Sequence, residues 1–179
     1  MARKTRALGM GLALALSAGM FLVHPAQAAP TPTQCESDRK EAVAQQLADK
    51  PGGDVVDART VAYENGNARV VLASPSSCSE ITVQAMNDCP AGWACWWEDT
   101  YYPSTGRRLQ FYDAGVWQNL RDWGLNSWGS YYNRRGDDAA MKNVSSSAAS
   151  CYPQYSSIST SGGLASWRWI YLANTSANC

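Results

Sequence analysis

Cys89-Pro90-Ala91-Gly92-Trp93-Ala94-Cys95-Trp96-Trp97-Glu98-Asp99 is the stretch on which the reading of this chain turns. Two cysteines frame a five-residue Pro/Gly turn, and an aromatic pair and two carboxylates follow at once. No further Cys or His pair follows at zinc-finger spacing, so the pattern suits a tight disulfide loop better than a metal knuckle in an exported chain. The loop also stands at a compositional border. Residues 35–78 hold one aromatic residue, Tyr63, whereas all eight tryptophans come after residue 88.

Downstream of that border, short aromatic runs (Trp93 to Trp97, Leu109 to Tyr112, Ser130 to Tyr132, Trp167 to Leu172) alternate with Gly, Ser, Asn and Asp. Short runs with frequent turn signals and no helical period predict an all-β sandwich or barrel over 89–179. In Trp167-Arg168-Trp169-Ile170-Tyr171 the three aromatic rings share one face, the period of a half-buried strand. Upstream, a helix is predicted over Glu36 to Asp49, capped by Ser37 or Asp38 and stopped by Pro51-Gly52-Gly53. Two β-leaning runs follow, Val55 to Tyr63 and Ala68 to Leu72, joined by Glu64-Asn65-Gly66-Asn67, a hairpin signal. Residues 73–88, rich in serine and carrying the β-leaning patch Ile81 to Val83, read as a connection or an edge strand.

The start of the chain has the pattern of an export signal. Arg3, Lys4 and Arg6 precede an uncharged, mostly apolar run of 17 residues, Ala7 to Val23, and Ala26-Gln27-Ala28 supplies a small-x-small cleavage site. The run is short for a membrane span, which needs about 20 apolar residues. The expected organisation is therefore a signal peptide at 1–28, a helix-plus-hairpin region and linker at 29–88, and a β-domain at 89–179. Localisation is expected to be extracellular, with no membrane span after cleavage.

All six cysteines fall in the mature part, and they allow about fifteen pairings. Sequence proximity favours Cys35–Cys78, Cys89–Cys95 and Cys151–Cys179. Without the three basic residues of the signal, twelve basic and fifteen acidic residues remain, a net charge of −3. No positive excess is left to bind nucleic acid.

Catalytic equipment is sparse. The one histidine, His24, lies in the signal, so the mature chain has no Ser-His-Asp or Cys-His machinery and no imidazole zinc site. Glu98-Asp99 and Asp137-Asp138 are neighbours in sequence, and adjacent strand residues point to opposite faces. An enzyme is not expected, nor is a resident metal or cofactor.

Taken with Gly106-Arg107-Arg108-Leu109-Gln110-Phe111, Trp117-Gln118-Asn119-Leu120-Arg121-Asp122-Trp123-Gly124 and Asn133-Arg134-Arg135, the Cys89–Asp99 stretch resembles the actinobacterial peptidase inhibitor family I36. That resemblance implies a secreted protein with a βγ-crystallin-like Greek-key β-domain, here carrying a small N-terminal α/β appendage. Its aromatic pattern is met by Trp97 and Tyr102, but Ser104 occupies the glycine position and Gly106 comes two residues late, which implies an insertion around Pro103. A second copy of the pattern is not legible between 136 and 179.

The function implied by the resemblance is inhibition of a secreted metallopeptidase, by a monomer. The segment similar to the family's inhibitory loop is Cys151-Tyr152-Pro153, with Tyr152 expected to stand exposed and Cys151 to anchor it. The alternative is a non-enzymatic module that binds carbohydrate or another extracellular polymer through exposed tryptophans, for which Trp117, Trp123 and Trp128 are the candidates. A crystallin-like antimicrobial role is a third reading. Calcium sites of crystallin-like modules correspond to Asn126-Ser127-Trp128-Gly129-Ser130-Tyr131 and Lys142-Asn143-Val144-Ser145-Ser146-Ser147. Both lack the carboxylates calcium prefers, and the second carries a lysine, so backbone-capping turns are the expectation.

Overall fold

The structure, a computed structural model, describes residues 31–113, 115–143, 149–162 and 166–174. The expected signal segment therefore lies outside it. Helix α1 spans Pro32–Asp49, four residues longer at its start than the sequence predicts. Thr31, not Ser37 or Asp38, is the cap: its side chain accepts from the Gln34 N–H, and Pro32 follows as a first-turn residue that has no N–H to satisfy. The helix buries only Val43 and Gln46. The first β-leaning run splits into β1 (Asp54–Val55) and β2 (Thr60–Tyr63), because the Asp57 carboxylate accepts from the Arg59 N–H and turns the chain. The hairpin to β3 (Ala68–Val71) forms as expected, with Glu64, Asn65 and Gly66 all at positive φ and Tyr63 opposite Ala68.

Beyond residue 88 come β4 (Ala94–Trp97), β5 (Arg108–Phe111), β6 (Trp117–Asn119) and β7 (Ser130–Asn133), then β8 (Ala139–Lys142), β9 (Ala149–Tyr152), β10 (Ser157–Ile158) and β11 (Trp169–Leu172). Among the described residues these strands make two antiparallel sheets, β1-β2-β3-β5-β4-β7-β10 and β6-β11-β8-β9. Within each group of four, the fourth strand returns beside the first, β7 on β4 and β11 on β8, which is the Greek-key connection. The third strand of each group crosses to the other sheet, so β6 pairs with β11 and β10 with β7. The fold is thus mainly β with a helical appendage, as expected, and the second four-strand unit exists although no sequence repeat marks it.

The appendage is joined to the β-domain by hydrogen bonds. Strand β3 pairs with β5 from Ala68 opposite Phe111 to Val71 opposite Arg108, so the N-terminal hairpin extends the larger sheet. One core crosses the junction. Tyr63 packs edge-on against Trp123 at 5.4 Å, Trp123 against Phe111 at 5.3 Å, and Trp96 against both Phe111 and Tyr131. In β11 the alternation holds, and the fully buried face is Ile170 and Leu172, with Trp169 and Tyr171 half-buried.

The β4–β5 connection folds back over the sheet, and buried Ser130 fastens it. Its hydroxyl donates to the Asp99 carbonyl at 2.7 Å and accepts from the Tyr102 N–H at 3.1 Å. Tyr102 then meets Trp97 edge-on at 5.3 Å. The folded hairpin presses its backbone against Gly129: a Cβ there would lie 2.2 Å from the Asp99 carbonyl carbon and 2.4 Å from the Thr100 nitrogen. No rotamer change relieves a clash with backbone. Gly129→Ala should destabilise the protein by about 3 kcal/mol or more, above the usual range for overpacking, as read by urea unfolding.

Candidate functional site

The structure moves two of the three expected surface tryptophans and the expected inhibitory side chain into the core. Trp123 is 3% exposed and Trp128 1%, the latter donating its indole N–H to the Trp167 carbonyl at 2.7 Å. Gly124, at φ 78°, makes a tight turn after Trp123, and Gly129 lets the Asp99–Thr100 backbone approach beside Trp128; neither marks an exposed loop. Trp117 remains half-buried against Tyr171, with the Lys142 ammonium 4.0 Å from its ring centre. Tyr152 is 7% exposed and edge-on to Tyr131 at 5.3 Å; it ends β9 with its ring facing the core. It is a packing residue, because the second sheet turns that end of the strand inward.

Cys35–Cys78 and Cys89–Cys95 are formed as expected. Cys151 is not a free thiol, and its expected partner, Cys179, lies outside the described residues. At the first calcium-like stretch, Ser130 is committed to the folded hairpin. Of the second, only Lys142 and Asn143 are described, and Lys142 sits over Trp117. Among the described residues no group of three or more His, Cys, Asp or Glu side chains is placed to hold a metal ion, and no helix is long and apolar enough to cross a membrane.

The most projecting apolar feature lies where the sequence reads as a connection. From the Cys35–Cys78 bridge the chain turns tightly, the Glu80 N–H donating to the Cys78 carbonyl at 2.8 Å, and then meets the folded hairpin at Val83 to Ala85. Ile81 is 84% exposed and Val83 54% exposed, with Thr82 also open to solvent. Water would ordinarily disfavour two aliphatic side chains held out together. The backbone at Val83 is nevertheless fixed. Val83 donates its N–H to the Ser104 hydroxyl at 3.1 Å and accepts from the Ser104 N–H at 2.9 Å, and the Ala85 N–H donates to the Tyr102 carbonyl at 2.7 Å. Gln84 forms a β-bridge with Pro103, and the Thr82 and Thr105 hydroxyls share a hydrogen bond of 2.7 Å.

The upstream side is clamped as firmly. Glu80 pairs with Arg39 of α1 and, at 3.0 Å, with Arg59 before β2. Arg59 also donates to the carbonyls of Leu72 and Ser104, so one guanidinium ties together the N-terminal hairpin, the folded hairpin and Glu80. Burial, followed by the neighbouring Arg108 and Arg39 cations, pulls the Arg59 pKa below its usual value, while Asp57 and Asp88 pull it back. Downstream, Ala85 is buried, a short 3-10 turn covers Met86–Asp88, and Cys89 enters its bridge. The segment is thus a crest, braced on both flanks, with Ile81 at its top.

The sequence held one sign of this crest. Ile81-Thr82-Val83 is a β-branched run three residues after a cysteine, in an otherwise serine-rich stretch. Its neighbour, the 102–105 hairpin, is distant in sequence, so nothing local announced the bracing. Compared with protein-family models, with curated proteins and with solved structures, the chain finds no match.

Proposed function

We propose that this protein is a peptidase inhibitor of the substrate-like kind, and that the Glu80–Val83 crest is its reactive segment. The observation that carries the reading is Ile81: 84% exposed, two residues before backbone pinned in a β-bridge to the folded hairpin at Val83 to Ala85, and three residues after the Cys78 bridge. A peptidase binds its substrate as an extended strand. A segment already held in that form loses little conformational freedom on binding, and so binds tightly. The same bracing keeps the two ends of a cut bond together, which favours religation over release. Ile81 is the side chain that would enter the specificity pocket, so the target has an apolar pocket. The resemblance to the I36 inhibitors directs the first choice to secreted metallopeptidases, and the signal pattern places the encounter outside the cell.

Long incubation with a catalytic amount of a thermolysin-like metallopeptidase, followed by mass spectrometry under reducing conditions, tests the segment. The expected result is one slow cut beside Ile81 while the remaining chain stays intact. Rapid cleavage at many sites would contradict the reading.

Of the three tryptophans offered for the binding-module alternative, Trp123 and Trp128 are packed inside and Trp117 is half-buried.

A further inference from the structure

On the opposite side of the β4–β5 pair from its folded hairpin, the ends of several elements meet around a cleft of about 350 Å³. Gly92 of the disulfide loop, Tyr112 and Asp113 after β5, Arg135 and Asp137 between β7 and β8, and Asn174 after β11 line it. We infer that this cleft is a binding site for a neutral saccharide.

The argument starts from Tyr112. The residue is 51% exposed, yet its ring is held: it meets Trp93 at a tilt with centres 5.5 Å apart, and Trp93 is in turn covered by the Arg69 guanidinium at 4.5 Å. Its backbone is fixed too, the N–H donating to the Asn67 carbonyl at 2.8 Å and the carbonyl accepting from Arg135 at 2.9 Å. A rigid aromatic face open to water suits the C–H face of a sugar ring, which stacks on it with little loss of side-chain freedom. Gly92, at φ 84°, is needed for the turn and leaves the edge of that ring uncovered, since a Cβ there would touch it at 3.5 Å.

Polar groups surround the platform at fixed positions. Asp113 accepts from the Asn67 amide at 2.8 Å through one oxygen, leaving the other for a ligand. Asp137 stands 3.7 Å from Arg135, and its side chain is 39% exposed. Arg135 is 6% exposed, its two terminal nitrogens donate to the Tyr112 and Ala173 carbonyls, and its Nε has no partner among the described residues. Carboxylates that only accept match the adjacent hydroxyls of a pyranose, each of which can donate, while Arg135 is spent on holding the walls of the cleft together. The two carboxylates repel phosphate and other anions, and the guanidinium 3.7 Å from Asp137 disfavours a metal cation. A second exposed ring, Tyr155 (63% exposed), reaches the rim, its hydroxyl 3.8 Å from where a side chain on Gly136 would start. The volume is that of a small-ligand pocket, enough for a sugar unit of a longer chain.

This site is separate from the Ile81 crest, so inhibition and sugar binding are expected to be lost independently. The test is calorimetric or NMR titration of the secreted protein with cellohexaose, xylohexaose and chitohexaose. Saturable binding of at least one is expected. Tyr112→Ala should weaken it about tenfold or more by removing the platform, and Asp113→Ala should weaken it as well, both with circular dichroism and peptidase inhibition unchanged. Asp113→Ala keeps the test decisive if Tyr112→Ala disturbs the Trp93 packing. Absence of saturable binding to all three sugars, or parental affinity in both variants, would overturn the inference.

Discussion

Ile81→Asp should abolish peptidase inhibition and leave the protein as stable as its parent. At 84% exposure the side chain contributes almost nothing to the core, and surface substitutions of this kind move stability by about 0.5 kcal/mol or less. At an interface the same residue would be the buried anchor. Truncating such a hot spot costs about 2 kcal/mol or more, roughly a thirtyfold loss of affinity, and a carboxylate driven into an apolar pocket costs more still. Val83→Asp, 54% exposed and beside the pinning hydrogen bonds, should weaken inhibition less. Urea unfolding and an inhibition assay on the same preparations separate the two quantities. Parental inhibition by Ile81→Asp would remove the crest from the account.

Tyr152 gives the opposite result. Tyr152→Ala removes a 7% exposed ring packed on Tyr131 and should cost about 3–5 kcal/mol, the range for deleting a large aromatic side chain from a core. Tyr152→Phe should be nearly neutral, within about 0.5 kcal/mol, because the Tyr152 hydroxyl has no hydrogen-bond partner among the described residues. Alkali adds a check. Burial, then the neighbouring Tyr152, pushes the Tyr131 phenol well above the ordinary tyrosine value of 10.0, and burial raises Tyr152 from the same value. A phenol whose folded pKa is raised keeps its proton in the folded state while the unfolded chain loses it. The stabilisation is therefore complete below about pH 10 and falls as pH climbs from there towards the folded values. Tyr152→Phe should make that decline shallower. A Tyr152→Ala protein as stable as its parent would contradict the packing described here.

These two residues also show what the chain discloses before it folds. Local chemistry was legible: the helix from its formers and its Pro-Gly-Gly stop, the hairpin from Asn65-Gly66, the tight bridge from Cys89 and Cys95. Alternation identified β11 as half-buried but could not say which half, and the small Ile170 and Leu172 face won the interior over the aromatic one. Glycine beside tryptophan reads as a loop with an exposed ring. After Trp123 it is instead a left-handed turn and after Trp128 a place of close backbone approach, and both rings are buried. Pairings across forty residues, such as Ala68 with Phe111, and the exchange of β6 and β10 between sheets leave no mark in local composition. The proposed reactive crest lies between the two classes: its β-branched run Ile81-Thr82-Val83 stands out locally, and the distant hairpin that braces it does not.

Titration of the purified protein against a secreted metallopeptidase with an apolar specificity pocket tests the central claim most directly. The account predicts loss of peptidase activity in proportion to added protein, saturating at one molecule of inhibitor per enzyme, with Ile81→Asp inert in the same assay. Full peptidase activity in the presence of a large excess of the parent protein would contradict it.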